Sequence, residues 1–147
     1  MSDPLHVVCP HCDAVNRVPA ARLNDKGHCG RCKKPLFTGH PVNVIGANAD
    51  KHLNTSDVPI VLDFWAAWCG PCRAFAPVFE AAAREVEPKV RFGKIDTEAE
   101  PELASRFGIR SIPTLIVYHK GRELARQSGA MERNAFLSWL RGAVGDI

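Results

Sequence analysis

The apolar run Ile60-Val61-Leu62-Asp63-Phe64-Trp65 is followed after Ala66-Ala67-Trp68 by Cys69-Gly70-Pro71-Cys72, and a helical pattern begins directly behind the second cysteine. Few folds accommodate that order. It requires a buried strand, a tight turn and a helix whose first turn carries two thiols. From Arg73 to Val86 the apolar residues Phe75, Phe79, Ala82 and Val86 recur at helical spacing and mark a buried face, with Pro77 inside the pattern as an expected kink. A thiol at a helix start meets unpaired backbone N–H groups and the positive end of the helix dipole, so Cys69 stands where a thiolate is favoured. Two thiols separated by a stiff Gly-Pro step suit dithiol–disulfide exchange, whereas two inert core cysteines would not need that step.

The surrounding pattern alternates between strand and helix. Strands are expected at Val42 to Ile45, at the run ending in Asp63 to Trp65, at Val90 to Asp96 and at Thr114 to Tyr118. The last of these turns through His119-Lys120-Gly121 into Glu123 to Gln127 as a hairpin. Helices are expected around Ala47 to Leu53, behind Cys72, from Pro101 to an end at Gly108, and from Met131 to Val144 with Phe136, Leu137, Leu140 and Val144 buried. Such an order predicts an α/β fold, a central mixed β-sheet with helices on both faces. Asp63 is the one charge in its strand, and a carboxylate that loses hydration there acquires a raised pKa.

The first forty residues follow a different logic. They hold Cys9-Pro10-His11-Cys12 and Cys29-Gly30-Arg31-Cys32, and doubled C-x2-C spacing of this kind is that of a zinc ribbon. Two thiolates of one knuckle turn toward a single ion, and two knuckles complete a tetrahedron; Gly30 is expected to permit the tight path of the second. So short a segment buries too little apolar surface to fold unaided, which makes one structural Zn2+ on Cys9, Cys12, Cys29 and Cys32 the expected source of its stability. His11 and His28 are alternative ligands, and four free or paired cysteines the metal-free alternative. Thr38-Gly39-His40-Pro41 changes the composition, so the chain divides into a four-cysteine domain at 1–38, a linker at 39–41 and a second domain at 42–147.

Charge and hydropathy exclude several functions. No run approaches the roughly 18 apolar residues of a membrane span, and Met1-Ser2-Asp3-Pro4-Leu5-His6 lacks the basic and apolar regions of a secretory signal. The chain is therefore expected in the cytoplasm, where six cysteines serve as metal ligands and redox groups rather than structural disulfides. Residues 1 to 40 carry six basic and three acidic side chains, while residues 41 to 147 carry thirteen of each, so the whole net charge of +3 lies in the first segment. Four thiolates around one Zn2+ contribute about −2 there, and Phe37 is the segment's one aromatic residue, so neither charge nor stacking supports nucleic-acid binding.

Asp63-Phe64-Trp65-Ala66-Ala67-Trp68-Cys69-Gly70-Pro71-Cys72, then Gly108-Ile109-Arg110-Ser111-Ile112-Pro113-Thr114, then Gly129-Ala130, stand in the order found in thioredoxins. Residues 42 to 147 resemble that family over essentially their whole length, and with the four-cysteine segment in front the chain is similar to its zinc-binding bacterial thioredoxin 2 group. The resemblance implies the thioredoxin fold and a protein-disulfide reductase. Cys69 becomes the exposed nucleophile that forms a mixed disulfide, Cys72 the thiol that resolves it, and Asp63 the general base for Cys72 through water. Gly-Pro between the cysteines goes with a reductant rather than an isomerase. Trp68, Gly70, Pro71, Ile112, Pro113, Gly129 and Ala130 become a shallow apolar docking face, with Trp65 in the core. Sequence alone favours a trans Ile112-Pro113 bond, since about 5–6% of X-Pro bonds are cis, whereas the resemblance implies cis.

The same resemblance implies an NADPH-dependent thioredoxin reductase as electron donor, disulfide-containing client proteins, no bound organic cofactor and action as a monomer. One departure stands out. Thioredoxins often place a Lys four residues before the residue matching Asp96 to pair the buried Asp; that place is Phe92, and Lys94, two residues on along the same strand face, is the candidate substitute. A zinc-coupled redox sensor, a chaperone-like client-binding protein and a disulfide isomerase are the competing functions.

Overall fold

A computed structural model describes residues 3–147. Strands β1 (Leu5–Val8) and β2 (Val15–Val18) form an antiparallel hairpin, with Leu5 opposite Val18. Strands β3 (Val42–Asn43), β4 (Ile60–Trp65), β5 (Arg91–Asp96), β6 (Thr114–His119) and β7 (Arg122–Ser128) form a second sheet in the order β3-β5-β4-β6-β7. β3, β5 and β4 run parallel, and β6 and β7 are antiparallel additions. Helices α1 (Gly70–Val86), α2 (Pro101–Arg106) and α3 (Arg133–Val144) cover it. This is the mixed, doubly covered sheet expected from the alternating pattern, and it is the thioredoxin fold.

Side-chain alternation along β4 divides the core between the two faces. Val61 packs with Phe75, Phe79, Phe92 and Phe136 under α1 and α3, whereas Ile60, Leu62 and Phe64 pack with Leu53, Leu103 and Phe107 on the other side. Gly93 makes that second layer possible: a Cβ there would lie 2.9 Å from Val44 Cγ2 and 3.0 Å from Ile60 Cδ1. Asp63 shares the α1 face by the same alternation.

Element boundaries depart from the pattern in three places. Regular pairing of β3 stops at Asn43, although the Val44 N–H still donates to the Lys94 carbonyl at 2.9 Å. The helix expected at Ala47 to Leu53 is realised as a turn at 46–48, an α-helical pair at 49–50 with the Ala49 N–H donating to the Ile45 carbonyl at 2.9 Å, and a π-helical segment, Lys51–Thr55, while the Asn48 side chain accepts the Ile45 N–H and donates to the Asn43 carbonyl. α3 begins at Arg133, capped by Glu132, whose carboxylate accepts the Ala135 N–H at 2.9 Å.

The four-cysteine ribbon is docked, not tethered. Val58 of the second segment joins the ribbon core of Val7, Cys9, Cys29 and Leu36. Asp57 pairs with β1 by donating its N–H to the His6 carbonyl at 2.9 Å while its carboxylate accepts the His6 N–H at 2.7 Å. Buried Arg91 at the start of β5 donates to the Val8 carbonyl at 2.8 Å, lies 3.9 Å from Glu87 and stacks 4.1 Å over the Phe37 ring. The connector is held too: the Gly39 N–H donates to Glu87 at 3.0 Å.

Candidate active site and metal centre

β4 ends at Trp65, and Cys69 is the N-cap of α1, with Pro71 in the first turn where its missing N–H leaves no bond unmade. The Cys69 sulfur accepts the Cys72 N–H at 3.2 Å and lies 3.8 Å from the Ile112 carbonyl oxygen. Cys69 and Cys72 are joined as a disulfide, with their Cα atoms 5.2 Å apart. Cys69 was expected to be exposed. It is not: both cysteines are 3% exposed, packed with Ala66, Trp65 and Ile112. What separates them is position, because Cys69 lines an open groove of about 390 Å³ and Cys72 does not.

Trp68, Gly70, Pro71 and Ile112 line the same groove. Trp68 is 66% exposed, and its indole N–H donates to the Glu98 carboxylate at 2.6 Å. Pro113 is buried, and Gly129, at φ +97°, donates its N–H to the Pro113 carbonyl at 2.8 Å; neither of them, nor Ala130, lines the groove. The Ile112–Pro113 bond is cis. Sequence reasoning missed Thr97 and Ala104 as groove residues and Glu98 as the partner of Trp68. Thr97 and Glu98 lie in the loop after β5 and Ala104 in α2, and no local pattern reveals that these segments meet the active-site turn.

Asp63 is fully buried, and among the described residues neither carboxylate oxygen has a hydrogen-bond partner. Loss of hydration pushes its pKa up to about 7, against the opposing pull of Lys94. β5 runs in register with β4 so that Lys94 stands directly opposite Asp63, with Nζ 4.7 Å from the centre of the Trp65 ring. Phe92 instead sits in the aromatic core, 5.0 Å from Phe79 between ring centroids. The lysine departure thus has a packing reason, and the two-residue shift keeps a cation beside the carboxylate.

The ligand atoms of Cys9, Cys12, Cys29 and Cys32 all lie within 4.8 Å of one another. A tetrahedron with metal–sulfur bonds of about 2.3 Å has edges of about 3.8 Å; Cys9–Cys32 and Cys12–Cys29 are separated by 3.6 and 3.7 Å. The two knuckles repeat one turn. Asp13 N–H bonds Cys9 carbonyl and Lys33 N–H bonds Cys29 carbonyl, while His11 N–H and Arg31 N–H donate to the sulfurs of Cys9 and Cys29. The left-handed residues of these turns are Asp13 and Lys33, not Gly30, which corrects the expected role of that glycine. Gly30 instead donates its N–H to Asn16, whose amide reaches the Cys29 sulfur at 3.5 Å. Burial pushes the Cys9 thiol up to about 12, whereas the backbone N–H of Cys32 and the Asn16 amide draw Cys29 down to about 6. Four sulfurs so placed cannot all ionise unless a cation offsets their charge, so the donor set fits a thiophilic metal. Among the described residues, neither His11 nor His28 joins the cluster. The cluster lies by the start of β5 and the disulfide beyond the end of β4, so the sheet separates the two sets of thiols.

Comparison with known proteins agrees with both halves. Residues 40–142 match the thioredoxin family model, and residues 8–34 match the model described as Thioredoxin 2, N-terminal. The chain is 42% identical to Thioredoxin C-3 of Corynebacterium nephridii over 134 residues, covering 91% of this chain and 92% of that protein. It is 53% identical to a putative thioredoxin 2 of Streptomyces coelicolor over 76 residues, covering 52% of this chain and 56% of that one. Among solved structures, a mutant thioredoxin from Halobacterium salinarum NRC-1 superposes with a TM-score of 0.66 at 28% identity, over 76% of this chain and 96% of that one.

Proposed function

Because the chain belongs to the thioredoxin family, with a metal-ribbon segment in front of its redox disulfide, we propose that it reduces the disulfides of client proteins in the cytoplasm through Cys69 and Cys72. The observation that carries this reading is a disulfide whose groove-lining cysteine, Cys69, caps the N-terminus of α1. In the reduced protein the helix dipole and the Cys72 N–H stabilise a Cys69 thiolate, and Pro71 keeps the turn rigid. The thiolate attacks one client sulfur; the client S–S bond breaks, and a mixed disulfide forms as the first client thiolate leaves.

Cys72 resolves that intermediate. Asp63, with a pKa of about 7, takes the Cys72 proton through water; the resulting thiolate attacks the Cys69 sulfur and expels the second client sulfur as a thiolate, which takes up a proton from Asp63 or solvent. Two electrons pass from the dithiol to the client, leaving the Cys69–Cys72 disulfide. An NADPH-dependent thioredoxin reductase returns it to the dithiol, and no organic cofactor is held here. Trp68, Gly70, Pro71, Ile112, Pro113 and Gly129 form the client-docking edge, where an extended segment pairs with backbone next to Ile112. The boundaries 1–38 and 42–147 define the two working parts, acting as a monomer.

Cys9, Cys12, Cys29 and Cys32 hold one Zn2+ as a structural cross-link. Coordination withholds these sulfurs from exchange, and the metal supplies the stability the short ribbon lacks. The deciding experiment is insulin-disulfide reduction with trapping. Cys69→Ser should abolish turnover, whereas Cys72→Ser should still attack and accumulate mixed disulfides. Equal trapping by a Cys69→Ser protein would overturn the assignment.

A further inference from the structure

We propose that the groove between the ribbon and the C-terminal end of α1 holds an acidic, extended segment of a disulfide client, about six or seven residues away from the bond being reduced. The proposal rests on the reductase reading above. The groove, about 760 Å³, is larger than the one beside the disulfide. Leu23, Phe37 and Pro88 supply its apolar lining, and Lys26, His28 and Arg84 stand exposed in its wall.

The electrostatics favour an anionic guest. Each acid nearby is already engaged: Asp25 with Arg22 at 3.3 Å, Glu85 with Arg133 at 2.6 Å, and Glu87 with the Gly39 N–H and buried Arg91. Lys26 and Arg84, by contrast, make no ion pair among the described residues. Their charges are therefore available to a partner. An apolar floor asks in addition for one aliphatic or aromatic side chain, so the occupant is a short run of acids around such a residue. A polynucleotide fits less well, since the Phe37 ring is already stacked by Arg91.

Arg84 also ties the groove to the chemistry. It ends a shallow strip along α1 that includes Arg73, Pro77 and Glu80, and Arg73 donates to the Ala67 carbonyl beside the active-site turn at 2.7 Å. Glu80, the one acid of that strip, is turned toward the His40 ring, with its carboxylate 3.8 Å from Nδ1. Along the helix, Gly70 and Arg84 are about 21 Å apart at about 1.5 Å per residue, a span that an extended chain covers in about six or seven residues. A client bound at both places raises the effective concentration of its disulfide at Cys69 without any new contact at the sulfur.

The test uses synthetic reporters sharing one small disulfide loop. One carries a flexible spacer of about eight residues and the sequence Glu-Glu-Leu-Glu-Glu, a second carries lysines in place of the glutamates, and a third has a spacer of about two residues. Single-turnover reduction by the dithiothreitol-reduced, zinc-loaded full chain is followed by tryptophan fluorescence at low salt. The long-spaced acidic reporter should react about tenfold faster than the other two, and Lys26→Glu/Arg84→Glu should erase the difference. Arg122→Glu/Arg141→Glu, which changes net charge equally at exposed sites elsewhere, should retain it. Equal rates for all reporters, equal loss in the control variant, or equal competition by an RNA oligonucleotide of matched charge would each overturn the groove assignment. Failure to reduce any of the three reporters would instead overturn the reductase reading beneath it.

Discussion

Replacing Asp63 by Asn tests the buried carboxylate through stability, independently of catalysis. The folded-state pKa of about 7 against an ordinary 3.8 means that the native protein holds the Asp63 proton over a range where the unfolded chain has released it. Stability contributed by this site therefore falls as pH rises from about 4 to about 7, the opposite of a salt-bridged carboxylate. At 1.36 kcal/mol per unit, the penalty is about 1.5–2 kcal/mol at pH 5 and about 4 kcal/mol at pH 8. Asn cannot ionise, and its own buried amide costs the same at every pH. The stability difference between Asp63→Asn and the parent should thus move by about 2–3 kcal/mol in favour of Asn between pH 5 and pH 8. Guanidinium unfolding of the two oxidised, zinc-loaded proteins at pH 5, 6.5 and 8 reads this directly. A difference that stays flat across the range would refute the buried, proton-holding carboxylate.

Lys94→Met should raise the Asp63 titration midpoint further, because the one cation lowering it is gone; a carboxyl-carbon NMR titration that does not move would remove Lys94 from the site. Arg91→Met leaves Glu87 buried without its charge partner and the Val8 carbonyl without its donor, so a loss of about 3–5 kcal/mol and faster zinc release to a chelator are expected in denaturation and release assays. Gly93→Ala places a methyl against Val44 and Ile60, and unfolding should show a loss of about 1–3 kcal/mol. Chelation should release one Zn2+ per chain, measurable by a metal dye, while insulin reduction persists because the redox thiols belong to the other segment.

Much of this protein is local in origin and was legible from residue order. The β4–turn–α1 unit follows from an apolar run meeting Cys69-Gly70-Pro71-Cys72, and each cysteine knuckle from its C-x2-C spacing, although the closest sulfurs, Cys9 with Cys32 and Cys12 with Cys29, meet only when the two knuckles pack together. Pairing between distant segments was not legible. That Lys94 faces Asp63 depends on the parallel register of β4 and β5, that Phe92 belongs to an aromatic core depends on α3 packing from the far end of the chain, and that Cys69 lines a groove while equally buried depends on the loops after β5 and α2. The same holds for the docked ribbon, whose core takes Val58 and whose edge takes Arg91. Sequence specifies which side chains require burial, a cap or a metal, because those needs are set by chemistry within a few residues. Which neighbours meet them is decided only when the sheet assembles, since register and layer packing are cooperative properties of the whole chain.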